Sequence, residues 1–355
     1  MPSLFDPLQL GDITIPNRII MAPLTRARAK AERIPNELMA EYYAQRASAG
    51  LIISEAISVI PQGVGYAETP GLWSLDQIHG WKLITRAVHA AGGRIFAQLW
   101  HVGRISAPMF LNGDLPVSAS AIAATGNVSL VRPKQEYPVP RALETSEIPG
   151  VVEAYRKAAM NAQMADFDGV ELHGANGYLL DQFLQDGSNQ RTDDYGGSIA
   201  NRARLMLEAV DGVTSVWEPG LVGMHLAPRM DAHSMGDSDR LGTFSYVARE
   251  LGERGLAFIC AREHKAEDWI GPRLKKLFGG AYIANEGFTK ETGQAALDAG
   301  EADAIAWGKF FIANPDLVER FRINAELNPL VAETMYAPGP EGYTDYPTIT
   351  GRKAA

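Results

Sequence analysis

The segment Glu171-Leu172-His173-Gly174-Ala175-Asn176-Gly177-Tyr178 places an imidazole, a carboxamide and a phenol within six residues, separated only by small side chains. His173 and Asn176 each offer an N–H that can hold one acceptor oxygen, and Tyr178 carries a hydroxyl able to deliver a proton. Two donors and one acid suffice to polarise an oxygen-bearing substrate and protonate it. The same trio in a loop also suits a local turn network, and spacing alone leaves both readings open.

The elements that must position these groups read as alternating strands and helices. Val170 and Leu172 flank Glu171 in an extended pattern, and the glycines beyond let the backbone bend tightly. Leu8 to Leu10 and Ile13 to Ile15 around Gly11-Asp12 predict a hairpin, placed to cover the bottom of a closed barrel. Buried strands are predicted at 19–22, 51–56, 95–99, 169–173, 222–226, 257–260, 281–284 and 304–307. Helices are predicted over 37–49, 74–91 with a Ser74/Gln77 capping box, 146–165, 199–217, 243–254, 272–278 and 289–299. A last helix is predicted from Asn314-Pro315-Asp316, with Asn314 as its cap. Residues 104–145, rich in proline, read as a functional cover rather than a linker. Eight strands alternating with helices predict a (β/α)8 barrel carrying its active groups at the strands' C-terminal ends. A doubly wound sheet alternates too, but Thr25, Gln98, His173, His225, Asn285 and Lys309 all follow strands.

Composition narrows the class. With 46% apolar and 21% charged residues, the 355-residue chain can bury a large core, and no composition break divides it, so one domain over 1–355 is expected. Thirty-three basic against 42 acidic residues give a formal charge of −9, which argues against nucleic-acid or anionic-membrane surfaces as partners. The one cysteine, Cys260, excludes an internal disulfide and a thiolate-rich metal site, and its apolar surroundings predict packing. No metal is expected. The first ten residues lack a basic region followed by an apolar core, so a cytoplasmic protein is expected.

Taken together, the strand ends resemble the old yellow enzyme family of FMN-dependent ene reductases. The matches are MAPLTR at 21–26, AQLWHVGR at 97–104, HGANGYLLDQFL at 173–184, NQRTDDYGGS at 189–198, FIANPDL at 311–317 and GYTDYP at 342–347. Bacterial xenobiotic, glycerol trinitrate and N-ethylmaleimide reductases are the most similar members. The resemblance implies FMN as cofactor, NADPH or NADH as hydride donor, and activated alkenes or nitro compounds as small-molecule substrates. It implies that Ala22, Pro23, Leu24 and Thr25 lie along the flavin, with Ala56 and Gln98 against its ring. Asn285, Gly308 and Lys309 then belong to the cofactor side. His173 and Asn176 would hold the substrate's activating oxygen, and Tyr178 would donate the proton. Tyr66, Trp100 and Tyr343 would line the pocket, with an aromatic-core role still open for Tyr66 and Tyr343.

Three positions depart from the family pattern, all on the cofactor side. His225 stands where an arginine usually faces the flavin's N1 and O2 edge, and a histidine there makes that charge dependent on pH. Lys309 replaces the usual arginine at the phosphate loop. Glu286 occupies a position usually small, and is expected to turn outward because an inward carboxylate would repel phosphate. Arg262, read as lying just past the sixth strand, is a candidate to supply phosphate charge or else a solvated surface residue. Two other readings of the whole chain stay available: a barrel that binds flavin without turnover, and a flavin-free phosphate-binding isomerase or aldolase.

Overall fold

The computed structural model describes residues 1–229 and 232–350; the end of the expected domain, 351–355, lies outside the described residues. Eight parallel strands form the body: β1 (Ile19–Met21), β2 (Leu51–Ile53), β3 (Ile95–Trp100), β4 (Gly169–Gly174), β5 (Val222–Leu226), β6 (Phe258–Arg262), β7 (Ala281–Asn285) and β8 (Ala304–Trp307). Each pairs with the next in sequence, and β8 pairs with β1, Ile305 opposite Ile19, which closes the ring. A two-residue strand, Ile57–Ser58, is appended beside β3. The expected (β/α)8 barrel is therefore present.

The strands read as continuous apolar runs because both faces are covered. Outward residues meet the surrounding helices, while Ile20, Leu51, Ile53, Phe96, Phe258, Cys260 and Ile283 fill the interior. Gly169 and Gly223 make that filling possible: a Cβ at either would meet the ring of Phe96 or Phe258 at 2.3 or 2.2 Å. Leu10 and Ile15, from the hairpin Leu8–Leu10/Ile13–Ile15, join the same cluster from below. Asp12 N–H donates to the carbonyl of Gly220, so the hairpin is tied to the barrel floor.

The helix over Leu75–Ala90 opens with the expected capping box, Ser74 accepting from Gln77 N–H and the Gln77 side chain answering at the cap's backbone. Other boundaries move. The helix after β1 stops at Ala44, and β6 extends to Arg262, so that residue is the strand's last rather than the loop's first. The final helix starts at Leu317 with Asp316 as its cap; Asn314 instead ends the preceding helix, Lys309–Ala313. Its side chain bridges the Phe310 carbonyl and Asn328 N–H, a tertiary use that displaced the local capping role. Residues 104–145 hold little regular structure, the paired strands Val117–Ser118 and Arg141–Ala142 apart. Among the described residues no helix is long and apolar enough to cross a membrane.

Candidate active site

The exit of β4 is a rigid turn. Asn176 and Gly177 take φ values of +58° and +75°, a left-handed pair that asparagine and glycine adopt at small cost. Behind the turn, buried Asp181 accepts the Gly177 N–H at 2.9 Å and the Gln185 amide at 2.7 Å. Burial pushes the Asp181 carboxyl up to about 7. Gln182, also buried, donates to the carbonyls of Val102 and Gly177 and accepts from Arg104 N–H and Ser118 Oγ. It thereby joins the β3 and β4 exits.

These contacts fix the chemistry of the trio. His173 Nδ1 accepts the Ala175 N–H at 3.3 Å, so its proton sits on Nε2. Burial, with the nearby His225 and Arg262, holds the imidazole pKa well below its usual value, which keeps the ring neutral. Asn176 Oδ1 accepts from Arg262 Nη1 at 3.0 Å, leaving its NH2 as the free end of the amide. The Tyr178 hydroxyl lies 2.9 Å from that of Tyr66, and burial pushes its pKa up to about 12. The phenol therefore stays protonated across the neutral range. Tyr178 meets the His173 ring edge-on at 4.9 Å and the Trp100 ring edge-on at 4.9 Å.

Two clefts border this turn. One, of ≈ 460 Å³, runs over the strand ends between Ala22, Pro23 and Leu24 on one side and Asn285, Glu286, Gly308 and Lys309 on the other, with Asn176, His225 and Arg262 in its wall. The second, of ≈ 470 Å³, is bounded by Thr25, Tyr66, Tyr178 and Tyr336, with Asn127 to Leu130, Arg132 and Lys134 of the proline-rich segment as its roof. Leu24 and Asn176 thus line the first space, and Thr25 and Tyr178, one and two residues on, line the second. Each volume is in the range of pockets that hold organic ligands.

Beneath the first cleft lies a polar network. The Gln98 amide nitrogen is 2.7 Å from Glu171 Oε2 and 3.1 Å from His225 Nδ1, and His225 stacks on His173 with centroids 5.3 Å apart. With Nδ1 of His225 accepting, Nε2 carries the hydrogen, and it is buried without a partner among the described residues. A donor so placed suits a planar ligand presenting an acceptor edge, which the N1 and O2 side of a flavin provides.

Several expected placements change. Tyr343 is fully buried, stacked on Tyr42 at 4.1 Å with the Arg28 guanidinium over its other side, and it lines neither cleft. Trp100 has no exposed surface; it backs Tyr66 and Tyr178 rather than lining a space. Ala56 packs in the same aromatic cluster. Glu286 does not turn away: it lies in the cleft wall at φ +89° and pairs with Arg262, Oε2 to Nε at 2.6 Å and Oε1 to Nη2 at 3.2 Å. The Arg262 fork is thus shared by Glu286 and Asn176.

Residues 3–328 match the model of the NADH:flavin oxidoreductase / NADH oxidase family. This chain belongs to that family. Rice (Oryza sativa subsp. japonica) 12-oxophytodienoate reductase 7 is 40% identical, the alignment covering 98% of this chain and 94% of the relative. Arabidopsis thaliana 12-oxophytodienoate reductase 2 is 38% identical, covering 98% and 96%. Among solved structures, morphinone reductase in complex with tetrahydroNAD superposes with a TM-score of 0.95 at 47% identity, covering 98% of both chains. The old yellow enzyme homologue of Zymomonas mobilis gives 0.95 at 45% identity, covering 98% and 99%. The family is that of the old yellow enzymes, and its members are flavin-dependent oxidoreductases.

Within this family frame, three groups stand at the site that the sequence did not single out. Asp181 and Gln182 support the β4 exit, and Glu171 anchors Gln98 beside His225. Glu171 was legible in principle, since an acid between two apolar residues of a parallel strand must face a polar partner inside the barrel. Arg132 and Lys134, in the irregular roof, carried no such signal.

Proposed function

We propose that this chain reduces carbon–carbon double bonds conjugated to a carbonyl or nitro group, with FMN as its cofactor and NAD(P)H as reductant. The observation that carries the reading is the β4 exit, where a neutral His173 with its proton on Nε2, an oriented Asn176 amide and a protonated Tyr178 converge beside two clefts. When bound, FMN would supply the hydride chemistry that links NAD(P)H to the alkene. His225, Gln98, Thr25 and the 22–24 segment are the groups suited to the ring, and Asn285, Gly308 and Lys309 those suited to its phosphate side.

The chain's own part follows from its donors. His173 Nε2–H and the Asn176 NH2 hold the activating oxygen and stabilise the charge that grows on it as the β carbon is reduced. Tyr178 then gives its proton to the α carbon, and the Tyr66 hydroxyl at 2.9 Å is placed to stabilise the phenolate left behind. The interlocked Trp100, Tyr66 and Tyr178 rings keep water from the reacting carbons. Nitrate esters and nitroaromatics, which need hydride and a held nitro group only, fall within reach of the same site.

The test is spectroscopic. Purified protein should be yellow, bleach with NADPH in the absence of oxygen, and regain colour with cyclohexenone. A colourless preparation that does not take up FMN would favour a flavin-free barrel, and bound flavin that never bleaches would favour storage.

A further inference from the structure

Glu286 is the chain's oddest residue at the site. It sits at φ +89°, where a non-glycine residue is strained. Its carboxylate does not face solvent freely but grips Arg262 in a two-point fork. The remaining Nη1 of that guanidinium reaches across β5 to the β4 exit, where it donates to Asn176 Oδ1 at 3.0 Å.

We infer that Glu286 and Arg262 are positioning residues that fix which end of the Asn176 amide faces the substrate. The inference rests on the reading above, in which Asn176 holds the activating oxygen. An amide can present either its oxygen or its NH2, and only the NH2 can hold an acceptor. Arginine has donors alone, so its contact forces Oδ1 outward to β6 and leaves NH2 for the ligand. His173 is set by the same logic from the other side, its Nδ1 being occupied by Ala175 N–H. Each of the two donors therefore has a dedicated partner that removes the wrong orientation.

Glu286 gives this arrangement its fixity. The bidentate fork fixes the plane of the guanidinium and leaves its Nη1 edge aimed at Asn176. The carboxylate that threatened phosphate binding is neutralised by that pairing and acts on the substrate side instead. The glutamate links the exit of β7 to that of β4 across the cleft.

The experiment uses the FMN-loaded enzyme and phenol as probe, followed by its long-wavelength absorbance band, with FMN dissociation measured in parallel. Asn176→Gly removes the amide while suiting the left-handed backbone, and should weaken phenol binding about 10-fold. Arg262→Met should weaken it by a similar factor with FMN affinity unchanged, and Arg262→Lys should restore part of the loss. The double variant Asn176→Gly/Arg262→Met should bind phenol no more weakly than Asn176→Gly alone. Glu286→Gln should fall between wild type and Arg262→Met. If the two losses multiply, or if Arg262→Met lowers FMN affinity and spares phenol, the positioning role is overturned while the reading of Asn176 stands. If Asn176→Gly itself leaves phenol binding intact, the reading of Asn176 falls and takes the inference with it.

Discussion

The exits of β4 and β7 both carry a non-glycine residue with positive φ followed by a glycine: Asn176-Gly177 and Glu286-Gly287. They reach that geometry by opposite means. At β4 the residue is one that tolerates the left-handed region, and Asp181 and Gln182 beneath it make six hydrogen bonds to the surrounding backbone and side chains. At β7 the residue is poorly suited, half-exposed, and among the described residues its carboxylate is held by Arg262. One loop is pre-formed by its foundations, whereas the other is kept in place by the contact it makes across the cleft. Hydrogen-bonded support is concentrated at the β4 exit, beside Tyr178.

If that contrast is right, the largest effect belongs to the β4 exit. Tyr178→Phe should slow enone reduction by about 10²-fold or more, while the rate of flavin bleaching by NADPH changes little; stopped-flow measurement of each half-reaction separates them, and equal losses would break the assignment. His173→Ala comes next, with about a 10²-fold loss in kcat/KM for the enone and weakened binding of phenol. Retention of both would mean that the imidazole is structural.

A smaller effect reports on the foundation itself. Asp181 has its folded-state pKa raised to about 7 by burial, so the folded protein binds a proton more tightly than the unfolded chain. Its contribution to stability is full below the unfolded carboxyl value near 4 and is lost as pH rises towards about 7. Asp181→Asn cannot titrate. Its stability relative to wild type should therefore climb between pH 4 and 7, by on the order of 4 kcal/mol, in urea unfolding. A difference flat with pH would show that the carboxyl is not perturbed by its surroundings.

The smallest change is expected at β7. Glu286→Gly relieves a left-handed glutamate, worth about 1 kcal/mol, against a half-exposed ion pair worth less than that. Chemical denaturation should show a slight gain in stability alongside weaker phenol binding. A clear loss of stability would place β7 among the rigid parts and dissolve the contrast.

How much of this could be read in advance follows the range of the forces involved. The strands and the Ser74/Gln77 cap are local, and periodicity and spacing exposed them. The hairpin also carried its own turn signal in Gly11-Asp12. Contacts between distant segments were not legible. Asn314 looked like a helix cap until Asn328 claimed it, and Tyr343 looked like a pocket wall until Tyr42 and Arg28 enclosed it. Glu286 was judged by its charge alone, because nothing in the order of residues says that Arg262, two dozen positions earlier, will stand beside it. The trio at 173–178 was visible as chemistry, but its orientations depended on Ala175 N–H, Arg262 and Asp181.

The hairpin formed by residues 8–15 has a bearing on traffic. Leu10 and Ile15 stopper the barrel floor against Phe96 and Phe258, and both clefts open at the opposite end, over the strand exits. Under the proposed function, donor and acceptor must then approach from the same face of the barrel. An excess of either one should obstruct the other, so a plug far from the reacting atoms sets the terms on which the two reactants take turns.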